Sequence, residues 1–179
     1  MRSPLLDSKK RNREGEAPAE PPQPQPSEYP VRHRPAHGVL VLPNDPTIVY
    51  LTVCAKGREK WLATPAAHRA LCGVWQEAKA WRVGRYIILP DHLHVFAAWI
   101  DGTIALENWV QYWKSQFTKL QIPNTGRWQA GHWDTRIRGF THYESKWNYV
   151  RDNPVRHKLV AHTADWPYQG EMYILNWGS

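Results

Sequence analysis

Apolar positions along this chain fall into short runs of strand character and longer stripes of helical period. Val83 to Leu89 is an apolar run rich in β-forming residues, and His92 to Trp99 is a second, apolar apart from two histidines. Pro90-Asp91 between them has the chemistry of a tight turn, since proline pre-sets φ and aspartate bonds back to nearby backbone. Thr47 to Ala55, with β-branched and aromatic residues throughout, reads as a further strand. Thr64-Pro65 opens a helix, with threonine as N-cap and proline at the first helical position. Leu71, Trp75 and Ala78 keep helical spacing to about Ala80. Leu106, Trp109, Val110, Trp113, Phe117 and Leu120 stripe a second helix, which follows Asp101-Gly102-Thr103 and is closed by Pro123-Asn124-Thr125-Gly126. His132 to Arg138 reads as a short strand and Thr141 to Asp152 as a third helix. Asn153-Pro154 interrupts that helix, because proline disfavours helical geometry at the residue before it. A short helix continues to about Val160. The order β-α-β-β-α-β-α predicts an α+β domain, a mainly antiparallel central sheet with helices packed on it.

Composition sets the borders of that domain. Residues 1–38 are rich in Pro, Glu and Arg around Pro21-Pro22-Gln23-Pro24-Gln25-Pro26 and cannot bury enough apolar surface to fold. They read as a disordered tail, and residues 39–179 as one domain with a short edge strand at Val39–Leu42 and a turn at Asn44-Asp45-Pro46. Mean hydropathy is −0.63, and no apolar run approaches the ~18 residues of a membrane span. The first ten residues contain no apolar segment of the signal-peptide kind. Cys54 and Cys72 form no CxxC and no disulfide framework, and read as buried thiols of a cytoplasmic protein.

Charge changes the picture further. The net charge is +7, and residues 113–160 hold nine Lys and Arg against three acids. The chain also carries eleven tryptophans. Basic charge interleaved with aromatics suits a nucleic acid, where cations meet phosphates and rings stack on bases. The plainer reading is a solvated basic face with most of the tryptophans in the core.

The candidate chemistry begins with His92 and His94. Spaced i, i+2 on a strand, they point to one face while Leu93 points to the other. Two imidazoles side by side suit a metal ion, or are two satisfied histidines at a strand start. In the third helix Tyr143, Trp147 and Val150 form the apolar stripe, and Tyr149 falls about 120° from it. His142, Ser145, Lys146 and Asn153 share that polar side, with Asn153 one turn beyond Tyr149. A half-buried tyrosine and an N-cap asparagine would fit the same pattern.

His92-Leu93-His94 after Ile-Ile-Leu-Pro-Asp, with Trp-Asn-Tyr149-Val-Arg-Asp-Asn153-Pro-Val-Arg-His-Lys-Leu-Val downstream, resembles the single-tyrosine HUH transposases, and within them the REP-associated tyrosine transposases. Trp128-Gln129 and Asp165-Trp166-Pro167-Tyr168 fit the same branch. The resemblance covers about residues 45–170; the Pro-rich tail matches nothing in it. It implies an HUH-endonuclease fold of ferredoxin-like kind. It implies that His92 and His94 bind a divalent cation, Mg²⁺ or Mn²⁺, that Asn153 adds an amide-oxygen ligand, and that Tyr149 is the nucleophile. The family nicks single-stranded DNA beside a hairpin, leaves a 5′-phosphotyrosine and a free 3′-hydroxyl, and works as monomer or homodimer. Arg136, Arg138, Lys146 and Arg151 are candidates for holding the DNA backbone. Two other classes stay open: a hairpin-DNA- or RNA-binding protein of the same fold without productive catalysis, and a structural zinc domain, for which His132 or His142 would supply the missing ligand.

Overall fold

The computed structural model describes residues 47–100 and 104–176. The Pro-rich tail, Val39–Leu42, Asn44-Asp45-Pro46 and Asp101-Gly102-Thr103 lie outside them. The elements are β1 (Ile48–Cys54), α1 (Pro65–Glu77), β2 (Trp81–Ile88), β3 (His92–Trp99), α2 (Leu106–Lys119), β4 (Trp133–Arg136), α3 (Phe140–Arg151), α4 (Asn153–Arg156) and β5 (Gln169–Glu171). The five strands form one antiparallel sheet in the order β4-β1-β3-β2-β5. The expected α+β architecture is the one observed. The Thr64 side chain caps α1 by accepting from the Ala67 N–H, with Pro65 leading the helix. No described helix is long and apolar enough to cross a membrane.

β3 lies at the centre of the sheet and is buried on both faces over most of its length. Its alternation sorts the whole fold. Leu93, Val95 and Ala97 join Val49, Leu51 and Val53 of β1 under α1 and α2. Phe96 joins Ile48 on the other face under Tyr143 and Val150 of α3. A register shift in β2 between Val83 and Tyr86 lets both of those residues face the α1–α2 side, three positions apart. Arg85 faces α3 instead. Its guanidinium bonds Glu144 at 2.7 Å and lies over the rings of Tyr143 and Trp147, which pins α3 to the sheet.

Tryptophans fill the α1–α2 side, in line with the reading that places most of them in the core. Trp61, Trp75, Trp81, Trp109 and Trp113 are buried there. Trp113 meets Trp75 at 5.9 Å and Trp128 at 5.5 Å between ring centroids, and Trp128 meets Trp61 at 4.9 Å, all edge to face. This aromatic array holds the loop before β4 against α2. Lys114 completes the join by donating from Nζ to the carbonyls of Gln129 and Gly131, each at 2.8 Å. Burial pulls the Lys114 pKa down to about 8. Lys114 therefore contributes to the fold, although it was counted in the basic excess.

Three sequence expectations need correction. Leu120 is 54% exposed and caps α2, so it is not part of the buried stripe. Cys72 is only half-buried. β5 was not foreseen, because three polar residues carry no alternation. It forms because Trp166 Nε1 donates to the Ile88 carbonyl and the Ile88 N–H donates to Tyr168, delivering Gln169 to the edge of β2.

Trp113→Ala should lower stability by about 3–5 kcal/mol, the usual range for emptying a buried tryptophan site. Leu120→Ala should change it by less than about 0.5 kcal/mol. Urea unfolding followed by circular dichroism checks both.

Candidate active site

The register of β1 on β3 sets Thr52 opposite His94 and Cys54 opposite His92. Both histidines thus stand on the α3 side, as the i, i+2 spacing requires. Their rings meet edge to face at 4.9 Å between centroids, and both are buried. The contacts made by each ring fall on Nδ1. His92 Nδ1 lies 2.7 Å from Asp91 Oδ1. An ionised carboxylate only accepts, so Nδ1 carries the proton and Nε2 keeps its lone pair. His94 Nδ1 lies 2.7 Å from the Tyr50 hydroxyl and 2.9 Å from Thr52 Oγ1. Either hydroxyl can accept from Nδ1–H, and that tautomer also bares Nε2.

Burial keeps both rings neutral. It pulls His92 below its ordinary pKa despite the opposing pull of Asp91. It pulls His94 down to about 3, helped by His92 and Lys146. Burial alone would raise Asp91, but its bond to His92 and the Arg58 guanidinium outweigh that and leave it below the ordinary carboxylate value. Tyr50 is pushed up to about 12, chiefly by burial, and stays a phenol. Neutral imidazoles with oriented rings are what a divalent cation needs from histidine.

Arg58 reaches the site from an unusual backbone. It follows Gly57 in the left-handed region, with φ of 64° and 60° for the two residues. This reversal lets its guanidinium bond Asp91 at 2.8 Å and Cys54 Sγ at 2.9 Å, with Nη2 3.4 Å from His92 Nδ1.

The other half of the site comes from α3 and α4. Tyr143 and Val150 are buried while Tyr149 is 62% exposed, as the helical period predicts. Lys146 Nζ lies 5.0 Å from the centre of the Tyr50 ring and acts electrostatically on His94. Tyr149 acts in the same way on Tyr50. The helix therefore runs beside the histidine strand. α4 closes against it through His157, whose ring lies 6.4 Å from that of His92. Asn153 is buried, and its Oδ1 accepts from Arg156 at 2.8 Å. An amide oxygen has a second lone pair, so Asn153 Oδ1 keeps one acceptor position beyond its bond to Arg156.

The candidate DNA contacts separate. Lys146 is at the site, and Arg151 lies at the same end of α3 as Tyr149, exposed beside Asp152. Arg136 pairs with Val49, which puts it on the opposite face of the sheet from the histidines. Arg138 is exposed at the start of the α3 approach, its N–H donating to His142 Nδ1. The zinc alternative finds no ligand set. Among the described residues no three His, Cys, Asp and Glu side chains converge on one point, and His132 faces Asp134 at 3.7 Å.

Sequence reasoning missed Tyr50, Thr52, Arg58, Asp91, Arg156 and His157. Tyr50 and Thr52 could have been found, since their i, i+2 spacing mirrors that of the histidines. Arg58 and Arg156 gave no local signal.

No protein-family profile matches the chain. Among curated proteins it is similar to a proposed REP-associated tyrosine transposase of Haemophilus influenzae, 30% identical over 112 residues, covering 51% of this chain and 63% of that one. It is also similar to the REP-associated tyrosine transposase of Escherichia coli K12, 28% identical over 91 residues, covering 50% and 54%. The chain thus spans less than two thirds of the length of these relatives. Among solved structures, a REP-associated tyrosine transposase bound to a REP hairpin superposes with a TM-score of 0.61 at 23% identity, covering 75% of this chain and 87% of that one. That likeness establishes a shared fold.

The buried histidines make stability depend on pH. His94 takes a proton near 6.5 when unfolded and near 3 when folded. Between those values the unfolded state holds the extra proton, so stability falls as pH drops from about 6.5 toward 3. Urea midpoints of wild type and His94→Gln at pH 7.5, 5.5 and 4.5 check this. Wild type should lose more stability than the variant at each step down, and a constant difference would mean that His94 protonates freely in the fold.

Proposed function

We propose, from the premise that this chain is a homologue of the REP-associated tyrosine transposases and shares their fold, that it nicks single-stranded DNA beside a hairpin and rejoins strands through a 5′-phosphotyrosine. The observation that carries this reading is a buried pair of histidines on β3 whose neighbour Tyr50 is bonded to His94 and lies within the electrostatic reach of an exposed tyrosine on α3. His92, His94 and Asn153 would hold Mg²⁺ or Mn²⁺. When bound, the cation neutralises charge on the scissile phosphate.

The residues of the chain do the rest. Lys146 and Arg58 bring positive charge to the two sides of the histidine pair, where a phosphate would sit. Tyr149 projects from α3 into solvent, so a DNA strand can reach its hydroxyl. The phenol gives up its proton as its oxygen attacks phosphorus, the bond from phosphorus to the 3′-oxygen breaks, and that oxygen takes up a proton and leaves as a 3′-hydroxyl, with no net gain or loss of protons. The tyrosyl ester retains the phosphodiester bond energy, so another 3′-hydroxyl can reverse the step and join strands. Hairpin DNA as partner is carried over from the solved relative, and the excess of cations over residues 113–160 supports it.

Tyr149→Phe keeps the ring and removes only the attacking oxygen. It should bind hairpin DNA like wild type and form no covalent adduct. Tyr143→Phe, altered in the core, should still form one. Denaturing gels of protein incubated with 3′-labelled hairpin substrate and Mn²⁺ read this directly, and an adduct that persists in Tyr149→Phe overturns the assignment.

His92→Ala or His94→Ala should abolish cleavage yet leave hairpin affinity within a few-fold, because neither ring belongs to the basic segment. EDTA should act on wild type as these substitutions do. Hairpin binding by wild type with neither cleavage nor adduct would instead mark a DNA-binding protein of the same fold.

A further inference from the structure

Arg156 touches both the exposed tyrosine and the buried asparagine. Its guanidinium carbon lies 4.1 Å from the centroid of the Tyr149 ring. Its Nη2 donates to the Tyr149 backbone carbonyl and, at 2.8 Å, to Asn153 Oδ1. We propose that Arg156 is a positioning residue, a clamp that fixes the Tyr149 phenol and the Asn153 amide relative to each other for attack. The proposal rests on the reading of Tyr149 as nucleophile and names what holds it.

Each contact solves a separate problem. At 62% exposure, Tyr149 has no core around its ring to select a rotamer. The flat guanidinium over one ring face supplies a cation–π contact and selects one. Asn153 is buried, and its amide could present either oxygen or nitrogen to the site. Arginine only donates, so its bond to Asn153 fixes the position of the oxygen and leaves that oxygen one further lone pair. The third contact falls where α3 ends. α3 ends at Arg151 and α4 begins at Asn153, with Pro154 in its first turn. Carbonyls of a last helical turn lack intrahelical donors, and Arg156 reaches back from α4 to serve that of Tyr149. One side chain therefore spans the break between the helix that carries the phenol and the helix that carries the amide. Lysine could keep the charge but not the planar fork.

Two simpler roles compete. Arg156 is exposed and could be one more phosphate contact, or it could merely cap α3. Three measurements on the full-length chain separate these from the clamp, using wild type, Arg156→Met and Arg156→Lys. The first is the ring signal of Tyr149 in ¹³C-tyrosine NMR, assigned by its loss in Tyr149→Phe. The second is the single-turnover rate of adduct formation at saturating hairpin DNA with Mn²⁺. The third is hairpin affinity as a function of salt.

The clamp predicts that Arg156→Met moves the Tyr149 signal toward that of free tyrosine. It predicts a loss of about 10²-fold in adduct rate, the scale of a small misplacement of a reacting group. It predicts an unchanged salt slope, and a partial recovery of rate in Arg156→Lys. An unchanged Tyr149 signal and adduct rate, with a salt slope lower by about 1, would make Arg156 a phosphate contact and overturn the clamp. A lower melting temperature with the same signal and rate would reduce it to a helix cap and also overturn it. Wild type that forms no adduct, while the Tyr149 signal still moves in Arg156→Met, would overturn the nucleophile assignment and with it the clamp's part in attack, leaving only the contact of Arg156 with the Tyr149 ring.

Discussion

The pairing register of β1 on β3 is the constraint on which the rest of the structure depends. β3 is covered on both faces, so each of its side chains must suit one of two different environments. The register puts Thr52 beside His94 and leaves Leu93 under α1 and α2. A slip of one residue would exchange the faces. Both imidazoles would then enter a wall of tryptophan with no polar partner, and Leu93 would enter the polar site. Burying an imidazole is tolerable here because each ring has an oxygen at Nδ1, from Asp91 in the preceding turn or from Tyr50 and Thr52 on the paired strand.

The two faces divide the work. The α1–α2 face is held by edge-to-face tryptophans and by Lys114 reaching two loop carbonyls. The α3 face is less uniformly apolar. Arg85 stacks on Tyr143 and Trp147 while bonding Glu144, so that α3 is docked by a cation as well as by its buried residues. That docking fixes Lys146 over Tyr50, beside the histidine strand, and leaves Tyr149 exposed on the same helix. The break before Pro154 then lets α4 turn back, bringing Asn153 and Arg156 to Tyr149, and His157 to His92.

The groups around the histidines also form a graded electrostatic set. Arg58 approaches His92 and Asp91 from a left-handed turn, and Lys146 approaches Tyr50 and His94 from the helix. Both cations disfavour protonation of the imidazoles, and burial disfavours it more. The result is a pair of uncharged rings with an acceptor-only carboxylate behind one of them and a cation on either side.

Much of this was legible in the sequence, for a physical reason. Periods of 2 and 3.6 are local properties, so the placing of His92 and His94 on one face, Leu93 on the other, and Tyr149 away from the Tyr143–Val150 stripe followed from spacing alone. The Thr64-Pro65 helix start and the break at Pro154 followed from local backbone chemistry in the same way. What spacing cannot carry is which distant segment lies alongside. β5 has no pattern of its own and exists only because Trp166 anchors it to β2. Leu120 kept the helical period yet ended outside the core, because α2 finishes there. Lys114 looked like one more surface cation until tertiary packing placed two carbonyls at its end. Arg58 meets His92 across 34 residues, and Tyr50 meets His94 across 44. The sequence by itself therefore determined which residues share a face. Only the tertiary structure decided which faces meet, because that choice depends on packing and hydrogen bonding between segments that no local period connects.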